Sequence, residues 1–191
     1  MNTRLPLILA SGSPRRKELL TMMGLSFQVD VSDADEHFEG NPEDIVRELS
    51  SRKALAVAGK HEASLVLAAD TIVYLDRLLG KPGTHERAAQ MLCELSGRWH
   101  EVYTGLTLVN TATGRILQAV ERTRVHFIDM TQEEIEAYAA SGEPLDKAGA
   151  YGIQGRGGMF VDRIEGSHSN VIGLPMSTLR DLLAQMDRLE N

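Results

Sequence analysis

Short apolar runs alternate with helix-forming segments along the whole chain. The runs at residues 5–10 and 65–69 have the length and composition of buried strands, whereas Asn41-Pro42 and Thr84 are typical helix starts. A chain that alternates in this way folds as α/β or mixed α+β, because its helices cover the apolar faces of a sheet. The sequence therefore predicts a twisted mixed sheet with flanking helices.

The predicted elements follow one another without a repeat, a low-complexity tract or a long linker. The predicted strands cover residues 5–10, 27–31, 65–75, 102–109, 116–128 and 159–164. The predicted helices begin at Pro14 with Ser13 as N-cap, at Pro42, after the cap Thr84, at the capping box 131–134 and at Ser177. A chain of 191 residues has the size of one domain, so residues 1–191 are predicted to form a single domain.

The charge balance limits the partners of the chain. Twenty Lys and Arg residues stand against 27 Asp and Glu residues, which gives a formal net charge of −7. An acidic protein does not coat duplex DNA through general basicity, and four Phe, four Tyr and one Trp are few for a surface that stacks single-stranded bases. No stable nucleic-acid binding is therefore expected, although a compact basic pocket for a small anion remains compatible with this charge.

Cysteine content and hydropathy indicate a soluble protein of a reducing compartment. Cys93 is the single cysteine, which excludes a disulfide framework and a multi-cysteine zinc site and favours the cytoplasm. We expect Cys93 to be a buried, inert thiol of the third helix, because no basic partner is apparent near it in the sequence. The apolar run near the start is too short for a signal peptide, and no run reaches the roughly 18 residues of a membrane helix.

A loop of small residues links the first predicted strand to the first predicted helix. It reads Ser11-Gly12-Ser13 and leads into Pro14-Arg15-Arg16. Small residues let the backbone approach a ligand, and the start of a helix offers N–H groups and a partial positive charge to an anion. Cations in the first turn oppose the helix dipole unless an anion compensates them. Phosphate binding and an ordinary capped helix with a solvated basic start are both compatible with these residues.

Several polar residues lie where chemistry is expected in an α/β protein. Asp70 and Thr71 follow the apolar run 65–69, and a carboxylate there can bind a metal, act as a general base or simply start a turn. Lys53, Lys81 and Glu36 are further candidate functional residues, but each alone is also explained as a solvated surface charge. The glycine-rich segment 146–158 permits close backbone approach to a ligand, whereas a flexible surface loop is the alternative.

Taken together, these motifs resemble the Maf family of nucleoside triphosphate pyrophosphatases. The resemblance covers nearly the whole chain and rests on several motifs in the same order, which are residues 9–16, 35–36, 53–54, 69–71, 80–82, 95–97, 146–155 and 173–175. It implies a mixed α/β fold similar to that of the inosine triphosphate pyrophosphatases, with a cleft between two lobes. It also implies hydrolysis between the α- and β-phosphates in the presence of a divalent metal, Mg or Mn.

The resemblance also implies roles for individual residues. It implies that Asp70 accepts a proton from the attacking water. We expect Glu36 and Asp70 to hold the metal, where it would polarise the α-phosphate and orient the water. Whether Asp70 acts as the base, as a metal ligand or as both stays open.

Arg15, Thr71 and Gln154 match the family positions that are linked to substrate choice, and Ser11 is a further candidate for substrate binding. Because a triphosphate needs cations, we expect Arg15, Lys53 and Lys81, which come from three separate segments, to converge on it. The sequence Ile153-Gln154-Gly155 is similar to that of the branch acting on dTTP and UTP, and modified pyrimidine triphosphates are further candidate substrates.

Two other functions stay open at this stage. The first is a pyrophosphatase with another base preference, such as 7-methyl-GTP. The second is a regulatory module that senses nucleotides, with a role in cell division arrest. Neither the net charge nor the motif order decides whether the chain forms a homodimer.

Overall fold

The computed structural model describes residues 3–190, and strands alternate with helices throughout. The strands are β1 (Leu7–Leu9), β2 (Phe27–Val29), β3 (Leu65–Leu75), β4 (Arg77–Leu79), β5 (Trp99–Asn110), β6 (Arg115–Phe127) and β7 (Val161–Glu165). The helices are α1 (Pro14–Met22), α2 (Pro42–Ala58), α3 (His85–Leu95), α4 (Gln132–Ala140), α5 (His168–Ile172) and α6 (Met176–Leu189). Two 3-10 segments, Ala148–Ala150 and Arg156–Phe160, lie between α4 and β7.

The strands form one seven-stranded mixed sheet in the order β2-β1-β3-β5-β6-β7, with β4 paired to β3. Strand β1 runs parallel to both β2 and β3, so Leu7 faces Phe27 on one side and Leu65 on the other. Strands β4 and β7 pair antiparallel with β3 and β6. Parallel neighbours need a crossover, and helices α1 and α2 supply the two crossovers that β1, β2 and β3 require. The predicted mixed sheet with flanking helices is confirmed.

The chain separates into two compact units. The first contains residues 3–70, 104–121 and 173–190 of the described chain. Its helix α2 packs so closely on β5 that a Cβ atom at Gly105 would collide with the carbonyl oxygen of Val46. The buried hydroxyls of Ser50 and Thr107 form a hydrogen bond of 2.9 Å at the same contact. Helix α2 is therefore fixed on the sheet one turn before Lys53.

The second unit contains residues 71–103 and 122–172. Its core is built from side chains of β3, β5, β6, α3 and α4, and Tyr138 and Phe127 are among its largest fully buried members. Phe127 and Tyr151 contact each other edge to face with ring centroids 4.8 Å apart. The assignment of the whole chain to a single domain stays a prediction.

Helix starts agree closely with the sequence predictions. The Asn41 side chain accepts a hydrogen bond from the backbone N–H of Asp44, and Thr84 caps α3 in the same way. Thr131 and Glu134 form the predicted capping box of α4. Strand ends agree less well, since β2 ends at Val29 and the final strand begins only at Val161, after a 3-10 segment.

The prediction that Cys93 is buried is wrong, because this thiol is exposed. Helix α3 buries Ala88, Met91, Leu92 and Leu95, which recur at helical spacing on one face. Cys93 falls between these positions and therefore lies on the opposite face. Within residues 3–190, no helix combines the length and the apolar composition needed to cross a membrane.

Candidate functional site

The loop between β1 and α1 is organised around the hydroxyl of Ser11. Ser11 is 7% exposed, and its Oγ accepts hydrogen bonds from the Ser13 backbone N–H at 3.3 Å and from Arg16 Nη1 at 3.0 Å. These bonds use both lone pairs, so a further contact of this hydroxyl is a donated one, as a phosphate oxygen requires. Ser13 stands at the predicted N-cap position of α1 and Pro14 opens the helix, although the Ser13 side chain makes no cap hydrogen bond.

The Arg16 side chain holds this loop through two hydrogen bonds. Its Nε donates to the Gly173 carbonyl at 2.9 Å while Nη1 donates to Ser11, so one guanidinium ties the loop to the start of α6. Burial lowers the pKa of Arg16, the negative charge of Asp70 raises it, and the neighbouring charge of Arg15 lowers it. Arginine stays protonated under such shifts. The sequence motif includes Arg16, but only the fold shows that its side chain binds the loop and does not extend into solvent.

Lys53 and Asp70 form the centre of the candidate site in the first unit. The ammonium Nζ of Lys53 lies 2.6 Å from Oδ1 of Asp70 and 2.8 Å from Oε1 of Glu36. The side chains of Lys53 and Asp70 are 13% and 11% exposed, whereas that of Glu36 is 66% exposed. The structure thus brings together three of the residues that the resemblance implies, with one cation shared by two carboxylates.

Each of these three side chains is positioned by its own element. Asp70 lies on β3 directly after five buried residues, and Lys53 lies on α2. Glu36 lies in the segment before α2, and Arg52 holds that segment through a hydrogen bond from Nη1 to the His37 carbonyl at 3.0 Å. The Arg52 guanidinium also lies over the Phe38 ring at 5.3 Å. Arg52 thereby positions Glu36, a role that sequence reasoning missed because it depends on a contact between separate segments.

The remaining predicted site residues belong to the second unit. Thr71 is half-buried on β3, and Lys81 and Gln154 are exposed. The loop of Lys81 is tied to the glycine-rich segment, because Gly149 donates its N–H to the Gly80 carbonyl at 3.2 Å. The structure therefore brings Lys81 and the segment beginning at residue 146 together. That Lys53, Lys81 and Arg15 converge on one triphosphate stays a prediction.

The carboxylates of Glu36 and Asp70 can share a divalent cation, although they do not form a complete metal site. Among residues 3–190, no group of three or more His, Cys, Asp or Glu side chains is arranged to hold a metal ion. Mg²⁺ is commonly held by one or two carboxylates together with substrate phosphates and water. Two carboxylate oxygens already directed at one cation suit that manner of binding.

The first unit therefore combines cationic groups with a nearly buried carboxylate. Ser11, Arg15 and the start of α1 offer hydrogen-bond donors and positive charge for phosphate oxygens. Asp70 offers a carboxylate that can accept a proton. The fold and this site define an α/β protein equipped to bind a phosphorylated ligand.

Comparison with known proteins identifies the family. The model of the Maf-like protein family matches residues 6–186. A dTTP/UTP pyrophosphatase of Desulforamulus reducens is 49% identical over 93% of this chain and 95% of its own length. A dTTP/UTP pyrophosphatase of Bacillus cereus is 50% identical over 95% of both chains. The chain belongs to the Maf family, as its motifs predicted.

A more distant likeness is found among solved structures. The crystal structure of a nucleoside-triphosphatase / dITP/XTP pyrophosphatase from Mycobacterium abscessus matches 68% of this chain and 76% of that chain. The two chains are 16% identical and superpose with a TM-score of 0.44.

Proposed function

We propose that this chain hydrolyses dTTP and UTP to the nucleoside monophosphate and pyrophosphate. One water is consumed: its oxygen bonds to the α-phosphorus while a base takes its proton. The bond from the α-phosphorus to the bridging oxygen breaks, and pyrophosphate leaves with that oxygen. Relatives that carry the name dTTP/UTP pyrophosphatase are about half identical in sequence over 93% or more of the chain. The observation that carries the proposal is the Lys53 ammonium held between Asp70 and Glu36, two carboxylates whose charges also act on Arg16 in the first turn of α1.

Binding of the triphosphate is assigned to the cationic and hydroxyl groups of the family motifs. Ser11 and Arg15 lie at the start of α1, where backbone N–H groups also favour an anion. Lys53 supplies an ammonium that can leave the carboxylates for a phosphate oxygen. Lys81 is assigned to phosphate binding because it lies in the motif 80–82, which resembles that of the family.

Asp70 is the proposed proton acceptor. One of its carboxylate oxygens takes the proton as the water attacks. Its near-complete burial keeps the carboxylate in one place, and in the ligand-free protein Lys53 fixes its orientation through Oδ1. General bases of this kind contribute about 10²- to 10⁴-fold to a rate.

A divalent metal, Mg or Mn, belongs to the proposal. Glu36 and Asp70 would hold it together with the phosphates of the nucleotide, because two carboxylates suffice for Mg²⁺ when phosphates complete the set. When bound, such a cation neutralises phosphate charge and polarises the phosphorus. Lys53 would then turn from the carboxylates to the substrate.

Base preference is assigned to Gln154, with Thr71 and Arg15 as further substrate-binding residues. Gln154 carries a side-chain amide that donates and accepts hydrogen bonds, as the edge of a pyrimidine does. Replacement of Gln154 is expected to change the substrate profile more than the turnover of the best substrate. An unchanged profile would show that this residue does not set base preference.

One assay tests the proposal as a whole. Pyrophosphate release is measured for a panel of nucleoside triphosphates, including modified pyrimidine nucleotides and 7-methyl-GTP, with Mg or Mn added or withheld. We expect metal-dependent release with dTTP and UTP as the best substrates. Preference for 7-methyl-GTP would assign the chain another base specificity, and nucleotide binding without any release would favour a sensing module.

Variants connect the activity to the site. Asp70→Asn is expected to lose at least about 100-fold in turnover while it still binds nucleotide, since the amide cannot act as the base. Asp181→Asn, the same change on the exposed face of α6, is the control and should keep full activity. A folded Asp70→Asn protein that still releases pyrophosphate at the normal rate would exclude Asp70 as the base.

The location and the oligomeric state of the protein are tested separately. A nucleotide-pool enzyme with a single thiol fits the cytoplasm, and cell fractionation tests that location. Assembly as a homodimer is tested by light scattering on the purified chain.

A further inference from the structure

Gln154 is displayed by a short, sharply defined turn. The N–H of Gly155 donates to the Gly152 carbonyl at 3.1 Å, which places Ile153 and Gln154 at the two central positions. A second turn follows at once, closed by the Gly158 N–H and the Gly155 carbonyl at 3.1 Å. We call residues 152–155 the Gln154 turn. Its conformation decides where the exposed Gln154 amide lies.

A tyrosine and a glutamate hold both ends of the Gln154 turn. Glu143 accepts hydrogen bonds from the backbone N–H groups of Arg156, at 3.0 Å, and Gly157, at 3.3 Å. The Tyr138 hydroxyl donates to Glu143 at 2.9 Å and accepts from the Gly152 N–H at 3.2 Å. The Tyr138–Glu143 pair therefore satisfies the N–H of the first residue of the turn and the N–H groups of the two residues that follow the turn.

The glycines of this segment are explained by the same pair. A Cβ atom at Gly155 would collide with the Glu143 carboxylate, and one at Gly157 would lie 2.5 Å from the Tyr138 hydroxyl. The backbone can reach the pair only because these positions carry no side chain. The pair thus accounts for glycines that the sequence alone associated either with a ligand or with a flexible loop.

Charge strengthens this arrangement. Burial raises the pKa of Glu143. Hydrogen bonds from the Arg156 N–H, the Tyr138 hydroxyl and the Gly157 N–H together outweigh burial, so the pKa of Glu143 lies below its ordinary value. Hydrogen bonds to an ionised acceptor are stronger than neutral ones. Tyr138 is itself 1% exposed and packs against Phe160 with ring centroids 5.4 Å apart. The core packing of the Tyr138 ring therefore holds the hydroxyl of the pair in place.

We infer that Glu143 and Tyr138 are positioning residues that set base preference by fixing the Gln154 turn. This inference rests on the proposed function, in which Gln154 contacts the base. The proposed function places neither residue among the groups that bind the phosphates, so loss of the pair should change selection among nucleotides more than the rate of bond cleavage. A merely structural pair would lower stability and leave selection unchanged.

The test compares kcat and KM for dTTP and CTP in Glu143→Ala and Tyr138→Phe. Glu143→Ala removes three hydrogen bonds at the turn, and Tyr138→Phe removes two while its ring still fills the core. We expect each variant to lose roughly tenfold in the ratio of kcat/KM for dTTP to that for CTP, mainly through KM. Turnover of saturating dTTP should stay within about threefold.

Two further variants separate position from stability. Glu136→Ala removes a glutamate of α4 that accepts a hydrogen bond from Gln132, one turn earlier, and it should keep the wild-type ratio. In a Gln154→Ala background, Glu143→Ala should change the ratio little more, because the two residues act through one contact. Thermal unfolding of every variant reports folding independently of selection.

The possible failures are distinguishable. Wild-type protein that releases pyrophosphate from no nucleotide refutes the proposed function and the inference with it. Wild-type protein that prefers dTTP and UTP, together with folded Glu143→Ala and Tyr138→Phe proteins of unchanged preference, refutes the inference alone. Independent, additive effects of Glu143→Ala and Gln154→Ala on the ratio would also refute it.

Discussion

The Lys53 ammonium lies 2.6 Å from Oδ1 of Asp70, and both side chains are largely shielded from solvent. A shielded charge is tolerated only when it is paired, because burial removes the water that would stabilise it. Lys53 therefore does two things for the ligand-free protein. It compensates Asp70, and it keeps the nearby Glu36 carboxylate from repelling Asp70.

Replacement of Lys53 by methionine is expected to destabilise the protein. Lys53→Met keeps the length of the side chain but leaves Asp70 shielded without its cation. We expect the free energy of unfolding to fall by about 1–3 kcal/mol, the usual cost of an uncompensated buried polar partner. Urea unfolding of the two proteins measures this difference.

A second substitution tests the cause. Asp70→Asn removes the charge that Lys53 compensates, so the double variant Lys53→Met/Asp70→Asn should be more stable than Lys53→Met alone. If the two changes simply add, the Lys53–Asp70 ion pair is not what stabilises this part of the protein.

The two adjacent arginines of α1 are expected to behave differently. Arg16 donates at once to Ser11 and to the Gly173 carbonyl, and a lysine cannot reproduce that fork. Arg16→Lys should therefore lower the free energy of unfolding by about 1–2 kcal/mol, the value of one or two lost hydrogen bonds. Arg15→Lys should leave stability nearly unchanged and raise KM for the nucleotide. If chemical unfolding shows that Arg15→Lys destabilises the protein more than Arg16→Lys does, Arg15 and not Arg16 is the residue that holds the loop.

Elements that are defined by local chemistry could be predicted from the sequence. Asn41 and the Thr131–Glu134 capping box fix helix starts through hydrogen bonds within three residues, so their pattern is visible in the chain. Strand β4 and helix α5 are three and five residues long and were missed, because elements this short carry too little periodicity. Cys93 was misplaced because its exposure depends on which face of α3 packs on the core.

The residues of the candidate site also fall into those that the sequence indicated and those that only the fold reveals. The motifs indicated Asp70, Lys53 and Glu36, and the structure brings these three together. Arg52, Tyr138 and Glu143 were not predicted, because each acts on backbone groups of another segment. A single sequence contains no periodicity or spacing that reports such contacts. Positioning residues of this kind emerge only from the fold.

Metal binding is expected to depend on nucleotide. Glu36 and Asp70 are paired with Lys53, and among residues 3–190 no third carboxylate, histidine or cysteine completes a metal site. Mn²⁺ titrations followed by electron paramagnetic resonance should therefore show weak binding to the protein alone. A UTP analogue that resists cleavage between the α- and β-phosphates should tighten it, because its phosphate oxygens complete the ligand set.

A variant serves as the check on this interpretation. In Lys53→Met the ammonium no longer competes for the two carboxylates, so binding of Mn²⁺ without nucleotide should become stronger. Tight binding to the wild-type protein alone, unaffected by the analogue, would mean that the metal has a site of its own.

His100 is a buried histidine that the proposed chemistry does not use. It is 1% exposed, its Nε2 lies 2.9 Å from the Tyr151 hydroxyl, and the Phe127 ring packs against it edge to face. Within the described chain its Nδ1 has no hydrogen-bond partner. Burial, assisted by the charge of His126, lowers the pKa of His100 from 6.5 to about 3.

This histidine should make stability fall in mild acid. Between pH 6.5 and about 3 the unfolded chain protonates His100 and the folded chain does not, so acid favours unfolding. The loss should reach about 2 kcal/mol at pH 5, from roughly 1.4 kcal/mol per pH unit. Urea unfolding at several pH values should show this slope reduced in His100→Gln and retained in His168→Gln, the same change at an exposed histidine. Equal slopes in all three proteins would contradict the assignment to His100.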